Sequence, residues 1–154
     1  MDAKRLVTGT LVGGVVLFAT GYLIFSMAFA DFYRANAGSA TGVDREPVLL
    51  WAMVLASLAY ATLITYAMGN RANTPSIGQG AMIGAVVGFL LWFTVDFVLY
   101  GSTNVANLTR TVVDPLLEIV HGGLGGLAIA AVLSRMSGSD RAAATASPGA
   151  GAIR

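Results

Sequence analysis

The sequence predicts an all-α integral membrane protein, a bundle of four transmembrane helices with both termini in the cytoplasm. The first observation is composition, because 56% of the 154 residues are hydrophobic and only 11% are charged. About a quarter of the residues in a typical soluble domain are charged. The second observation is a set of four long apolar segments, and the third is an uneven distribution of Lys and Arg between the loops.

Each apolar segment is long enough to cross a bilayer as a helix, since about 20 residues at about 1.5 Å each span a hydrocarbon core of about 30 Å. Lone strands would leave backbone groups unpaired in lipid. The predicted helices cover about residues 6–30, 47–68, 75–100 and 115–136. The last three begin at prolines, which are tolerated at the first helical position. Residues 1–136 therefore form one domain, and the Ala/Ser/Gly-rich residues 137–154 are predicted to be a disordered cytoplasmic tail.

The distribution of Lys and Arg predicts the orientation. With four helices, both termini share one side of the membrane, and that side carries Lys4, Arg5, Arg71, Arg135, Arg141 and Arg154. The opposite side carries Arg34, Arg45 and Arg110. Because cytoplasmic loops are enriched in Lys and Arg, both termini are placed in the cytoplasm and residues 31–46 and 101–111 face outward.

Composition argues against several function classes. Lys plus Arg is 9 and Asp plus Glu is 8, with no basic run of the kind that binds a nucleic acid. The chain has no cysteine and one histidine, which excludes thiolate chemistry and any multi-histidine site within one copy. Neither a Gly-rich phosphate loop nor a nucleophile elbow is present. We therefore predict a protein that is not an enzyme and has no cofactor and no nucleic-acid partner.

Glycines at four-residue spacing mark helix faces that can pack closely. They are Gly9 and Gly13 in the first predicted helix and Gly80, Gly84 and Gly88 in the third. One interpretation is that these two helices pack tightly at their cytoplasmic ends and splay apart at the outer face. The other is that the glycine faces are contacts between subunits.

The most informative ionisable residues of the apolar segments are Asp96, Asp114, Glu118 and His121. Asp114, Glu118 and His121 are spaced i, i+4 and i+7, so they share one face of the last helix. With Asp114 as the N-cap of that helix, Glu118 lies about 6 Å deeper. Asp96 is expected at a similar depth on the third helix. Such residues usually face a protein interior or a water-filled cavity.

Three interpretations of these residues are open. A proton or cation pathway suits stacked carboxylates and an imidazole. A metal site is suggested by Glu118-x-x-His121, an element that di-iron bundles contain twice but that occurs here once. In the structural interpretation, which we favour, Glu118 pairs with Arg110 or Arg34 and His121 donates to a neighbouring helix.

The order of features resembles the bacterial four-helix membrane proteins of domain-of-unknown-function family 1761. The matching pieces are Gly21-Tyr22, Phe32-Tyr33, residues 49–68, Gly80-x-x-x-Gly84, Tyr100-Gly101, Asn104, Asn107 and Asp114. Where such proteins often carry an aromatic residue after the final acid, this chain has Leu116-Leu117 and then Glu118. The resemblance covers roughly residues 6–136 and implies only the fold. The expected location is a bacterial cytoplasmic (inner) membrane.

These observations favour a small non-catalytic membrane protein that packs as an accessory or structural subunit, or as a homo-oligomer. Its expected partners are the lipid bilayer and other membrane subunits or copies of itself. The alternative is a small proton- or cation-coupled transporter or channel unit that uses Asp96, Asp114, Glu118 and His121. A metal-dependent membrane enzyme is the third choice.

Overall fold

The protein is all-helical over the residues that the computed structural model describes, 2–69 and 74–146, with side chains described as far as Gly138. The helices are α1 (Ala3–Gly21), which continues as a π-helix (Tyr22–Ala28), α2 (Ala30–Ala35), α3 (Leu50–Gly69), α4 (Ile77–Ser102) and α5 (Leu108–Ala146). The described residues form no strand; Ala37 and Ala106 make one isolated antiparallel bridge.

Four stretches of helix are long and apolar enough to span a membrane: Ala3–Ala28, Leu50–Gly69, Ile77–Ser102 and Leu108–Gly138. Large apolar side chains lie exposed on each of them, such as Val15, Leu55, Met82 and Val120. An apolar exterior of this extent is what a bilayer, rather than water, would cover.

The start of α4 shows how local sequence sets a helix end. Ser76 is the N-cap: its hydroxyl accepts the Gln79 N–H, and the Gln79 side chain accepts the Ser76 N–H. This reciprocal capping box satisfies two backbone donors that the first turn would otherwise leave unpaired. Pro75, predicted as the first helical residue, lies just before the cap and is buried.

The last helix begins earlier than predicted, because Asn107 supplies its N-terminal hydrogen bonds. The Asn107 side chain accepts the Arg110 N–H at 3.0 Å, and its carbonyl accepts the Thr111 N–H at 3.1 Å. The assignment of Asp114 as the N-cap is therefore wrong, and Pro115 lies inside the helix. Glu118 consequently lies about 15 Å along α5 from Leu108, not 6 Å from the helix start.

The C-terminal residues also differ from the composition-based expectation. Instead of becoming disordered at residue 137, the chain continues α5 to Ala146. Alanines 142–144 have the highest helix propensity of any residue type, which favours continuation of the helix. The rest of the predicted tail, residues 147–154, lies outside the described residues.

Helix α5 is the centre of the bundle, with α4 on one side and α1 on the other, while α3 packs mainly against α1. The predicted close packing between the first and third apolar segments, α1 and α4, is wrong. The glycines of α4 face α5 instead: a Cβ atom at Gly84 would collide with the carbonyl of Gly122, and one at Gly80 with Ala130. Small residues on both helices allow this close backbone approach.

The glycines of α1 pack within the chain as well. A Cβ atom at Gly9 would meet the Thr65 side chain of α3, and one at Gly13 would meet Ile129 of α5 at 2.6 Å. All five glycines singled out in the sequence therefore lie at contacts between helices of the same chain. This arrangement removes them as candidates for an exposed contact between subunits.

Packing is tight in one half of the bundle and open in the other. The buried apolar core comprises Leu17, Tyr60, Ala61, Ile64, Met68, Ile83, Ile129, Ala130 and Leu133. Residues 50–59 of α3 and 89–102 of α4 contain no buried residue. We call these two segments the open halves of α3 and α4.

The two ends of the bundle are tied by different polar groups. At the end where α1 begins, the Arg5 guanidinium donates to the hydroxyls of Ser137, at 2.6 Å, and Thr74, at 2.7 Å. At the opposite end, the two connections pair with each other through backbone bonds, such as Gly38 N–H to the Val105 carbonyl at 3.1 Å. A Cβ atom at Gly38 would collide with the backbone of Asn104, so this pairing requires glycine.

Candidate functional site

One face of α5 carries three ionisable residues into the interior. Glu118 is 2% exposed, His121 7% and Asp114 8%. Their spacing of four and then three residues places them on successive turns of the same face. This face is covered by α1, the π-helix and α3, and it lies at the level where the tight half of the bundle meets the open one.

Glu118 holds the centre of the network through a single oxygen atom. Its Oε2 lies 2.9 Å from His121 Nδ1 and accepts the Tyr60 hydroxyl of α3 at 3.2 Å. The predicted pairing with Arg110 or Arg34 is wrong. Arg34 pairs with Asp31 at 2.8 Å on the exposed surface, and the Arg110 guanidinium lies 4.9 Å from the centre of the Tyr33 ring.

His121 joins α5 to the main chain of α1. Its Nε2 atom lies 2.9 Å from the carbonyl oxygen of Leu17, which is 1% exposed. Because a carbonyl oxygen only accepts hydrogen bonds, Nε2 carries the hydrogen of this bond. The imidazole ring also packs edge-to-face against Tyr60 and against Phe25 of the π-helix.

Two glycines make room for this network. A Cβ atom at Gly21 would lie 3.3 Å from His121 Nε2, so a larger residue there would crowd the ring away from α1. A Cβ atom at Gly88 of α4 would collide with the Tyr60 hydroxyl, next to the Glu118 backbone. Gly88 therefore positions the tyrosine as well as packing α4 against α5.

Asp114 lies one turn nearer the loops and has a separate partner. The hydroxyl of Tyr33, on α2, donates to Asp114 Oδ1. The Tyr33 ring packs edge-to-face against Phe25, with 5.8 Å between ring centres, and Phe25 in turn contacts His121. The short helix α2 and the π-helix thus form an aromatic cover over this end of the α5 face.

Asp96 is not part of the network. Gly88 lies beside Glu118, and Asp96 follows it by eight residues along α4, which is about 12 Å toward the loops. The predicted common depth of Asp96 and Glu118 is therefore wrong. In the described part of the chain, neither Asp96 Oδ2 nor Trp92 Nε1, one turn away on the same face, has a hydrogen-bond partner although both atoms are buried.

The chemistry open to these residues is limited by what surrounds them. Among the described residues, no group of three or more His, Asp or Glu side chains is arranged to hold a metal ion. Toward the end where α1 begins, His121 is followed by four buried apolar residues, Leu17, Ile129, Ile64 and Leu133. The network therefore reaches the middle of the bundle from the loop side and meets an apolar core.

Sequence reasoning found the acids and the histidine of the network but missed their partners. Tyr60 lies in a helix with many hydroxyl side chains, and nothing distinguishes it there from Tyr66, which is 57% exposed. Tyr33 lies outside the apolar segments, and the Leu17 carbonyl carries no signal in the sequence. Gly21 has no other glycine four residues away, so the spacing that identified the packing glycines did not identify it.

In comparisons with known proteins, no protein-family model, no curated protein and no solved structure matches the chain.

Proposed function

We propose that the chain is a non-catalytic integral membrane protein that packs laterally, through the open halves of α3 and α4, with other membrane subunits or with copies of itself. Asp96 carries this proposal. It is a half-buried carboxylate on the open half of α4, and one of its oxygens finds no donor in the described part of the chain. An ionisable group inside a bilayer costs several kcal/mol and is usually paired.

The surroundings of Asp96 support a protein neighbour rather than lipid alone. Phe89, Phe93 and Phe97 form a continuous aromatic row on the same segment, with ring centres 5.5 Å and 4.4 Å apart. Trp92 adds a second polar atom without a partner, a donor one turn from the Asp96 acceptor. A neighbouring helix that offers both a donor and an acceptor would satisfy both atoms.

The buried network supports a structural role for the remaining ionisable residues. Glu118 and His121 are bonded to each other, to Tyr60 of α3 and to the Leu17 carbonyl of α1. They link three helices through Glu118 Oε2 and both ring nitrogens of His121. Because Glu118 and His121 bond to groups of the same chain, we propose a packing role for the protein rather than a catalytic one.

The test is the mass of the protein extracted gently from its membrane, measured for the wild type and for Asp96→Leu. We expect the wild type to migrate as a larger complex and Asp96→Leu to release a smaller particle. Asp96→Asn, which keeps a polar group, should retain more of the complex. Ser134→Ala, at an exposed position of α5 outside the open halves of α3 and α4, is the control. A wild-type monomer, or an Asp96→Leu complex of unchanged mass, would contradict the proposal.

The proposed location is the bacterial cytoplasmic membrane with both termini inside. The Arg5–Ser137 contact, which joins residues near both ends of the chain, supports a common side for the termini, and the excess of Lys and Arg supports the cytoplasm. Because the chain has no cysteine, Asp2→Cys and Ser102→Cys give clean labelling sites. A membrane-impermeant thiol reagent should label Ser102→Cys in intact cells and leave Asp2→Cys unlabelled.

The alternative function is proton- or cation-coupled transport through Asp114, Glu118 and His121. Their alignment on one buried face favours it, whereas the apolar core beyond His121 opposes a continuous path. In this case Glu118→Gln should abolish a pH- or cation-dependent flux in proteoliposomes while the protein remains folded. Equal flux in the wild type and Glu118→Gln would rule out this alternative.

A further inference from the structure

The contacts of His121 fix the number of protons that the buried network can hold. Nε2 must carry a hydrogen, because its partner is the carbonyl oxygen of Leu17. Nδ1 and Glu118 Oε2 lie 2.9 Å apart, so one hydrogen lies between them. That hydrogen belongs to an imidazolium facing a carboxylate or to a carboxylic acid facing a neutral imidazole. Both arrangements contain the same number of protons and keep both contacts.

Removal of this proton makes the two contacts of His121 incompatible. If the neutral ring keeps its hydrogen on Nε2, the lone pair of Nδ1 faces the carboxylate of Glu118, and two acceptors repel each other. If the hydrogen moves to Nδ1, the lone pair of Nε2 faces the Leu17 carbonyl instead. In either tautomer one contact is lost. A second added proton would leave an imidazolium without its balancing carboxylate in a buried site, which is unfavourable.

We propose that Glu118 and His121 form a proton-dependent latch, in which one shared proton holds α5 against the main chain of α1 and loss of that proton releases the contact. The latch is a property of the single chain and does not depend on the packing of the chain with other subunits. It holds while the proton is bound and opens as the pH rises.

Tyr60 and Asp114 are the titratable side chains nearest to the Glu118–His121 pair, and the charge of Asp114 acts on both members of it. From α3, Tyr60 donates its hydroxyl to Glu118. From α5 itself, Asp114 is the nearest other acid, and it is bonded to Tyr33 of α2 rather than to the pair. From α1 and the π-helix come a carbonyl and the Phe25 ring, and from α4 comes Gly88, which has no side chain. Asp96 lies about 12 Å further along α4.

The position of the contact on α1 indicates what the latch would move. Leu17 lies one turn before Gly21, and the chain changes from α-helix to π-helix at Tyr22. The π-helix contributes no buried residue, so its attachment to the bundle depends on contacts such as Phe25 with His121 and Tyr33. Single π-helical turns within α-helices are frequently found at functional sites. Release of His121 would free this segment and the α2 cover that follows it.

The single histidine makes the proton count directly measurable. In protein labelled with ¹⁵N-histidine and reconstituted in bilayers, every ring signal comes from His121. At low pH we expect Nε2 to be protonated and Nδ1 to show a strong shared hydrogen bond. A neutral ring with Nδ1 protonated and Nε2 bare under these conditions would overturn the proposal, because it cannot donate to Leu17.

The motion is measured by the distance between spin labels at Leu23→Cys on the π-helix and Val120→Cys on α5, which are 54% and 57% exposed. We expect one short distance at low pH and a longer one once the proton is lost. Glu118→Gln, whose amide donates to Nδ1 without a dissociable proton, should keep the short distance at every pH. An unchanged pH dependence in Glu118→Gln would overturn the proposal.

Asp114→Asn tests whether the pH-dependent change comes from the Glu118–His121 pair or from Asp114, the nearest other acid. Because Asp114 does not bond to His121, we expect the pH-dependent change in distance to persist in this variant. Loss of the change in Asp114→Asn together with its persistence in Glu118→Gln would assign the titration to Asp114 and overturn the proposal. A wild-type distance that is constant with pH, while the His121 signals titrate, would also overturn it, because the proton would then not control the contact.

Discussion

The imidazole of His121 donates a hydrogen bond to the carbonyl oxygen of Leu17 at 2.9 Å, and this bond joins a side chain of α5 to the main chain of α1. Gly21, one turn beyond Leu17, leaves room for this approach, because a Cβ atom there would lie 3.3 Å from Nε2. The lack of a side chain at one position in α1 therefore helps to set the geometry of an acid–histidine pair on another helix.

Replacement of Gly21 tests this relationship. A Cβ atom at this position would lie 3.3 Å from Nε2, and the branched side chain of Gly21→Val would displace the ring. We expect the free energy of unfolding to fall by about 1–3 kcal/mol, and the ¹⁵N signal of Nε2 to lose its hydrogen bond. Gly101→Val, at a helical glycine with open space around it, is the control. A wild-type Nε2 signal in Gly21→Val would contradict the assignment.

Gly84 tests whether the glycine face of α4 packs within the chain or between chains. Its Cβ position coincides with the backbone of Gly122, so Gly84→Leu should separate α4 from α5. We expect a loss of about 3 kcal/mol or more in stability, seen as a lower unfolding temperature of the monomer in detergent. Gly78→Leu, where nothing lies within 4 Å, should be tolerated. A stable Gly84→Leu monomer that had only lost its partners would instead indicate a contact between subunits.

Tyr60 tests the contribution of α3 to the network. Tyr60→Phe keeps the ring contact with His121 and removes the hydroxyl that donates to Glu118 at 3.2 Å. We expect a stability loss of about 1–3 kcal/mol, because a buried acceptor loses one of its donors. The matched substitution Tyr66→Phe, at a side chain that is 57% exposed, should have little effect. Equal unfolding temperatures for the two variants would mean that the hydroxyl contributes nothing to stability.

Arg5 tests the hydrogen bonds at the end of the bundle where α1 begins. Its guanidinium donates to Ser137 and Thr74, so Arg5→Ala removes bonds that join α1 to α5 and to the residues before α4. Hydrogen bonds from a charged donor contribute about 1.5–3 kcal/mol, and partial exposure places the expected loss near the lower value. Hydrogen exchange should increase in the first turns of α1 and not in residues 108–121 of α5. Lys4→Ala, at an exposed neighbour, should leave exchange unchanged.

The sequence predicted the helical segments well because membrane-spanning length and apolarity are local properties. It predicted poorly where a helix end depended on competition between nearby caps. Asp114-Pro115 is a good local start, but Asn107 offers an N-cap seven residues earlier, and the chain begins its helix there. The extension of α5 to Ala146 was missed for a similar reason, since overall composition outweighed the helix propensity of the alanines.

The candidate site was predicted only in part. The i, i+4, i+7 spacing places Asp114, Glu118 and His121 on one face from sequence alone, because all three share one helix. Their partners Tyr33, Tyr60 and Leu17 come from other helices, so no spacing in the sequence identifies them. For the same reason the expected neighbour Asp96 proved to be about 12 Å away along α4.

By itself, the sequence determined that the chain forms four long apolar helices and that three ionisable residues share a face of the last one. Both features depend only on the residues of one segment, through their hydrophobicity and their helical periodicity. The tertiary structure decided which helices touch. It set α5 between α1 and α4, paired the glycines of α4 with those of α5, and brought the Leu17 carbonyl to His121. These relationships depend on the shapes of two surfaces meeting, and a surface contact between distant segments has no signature in either segment alone.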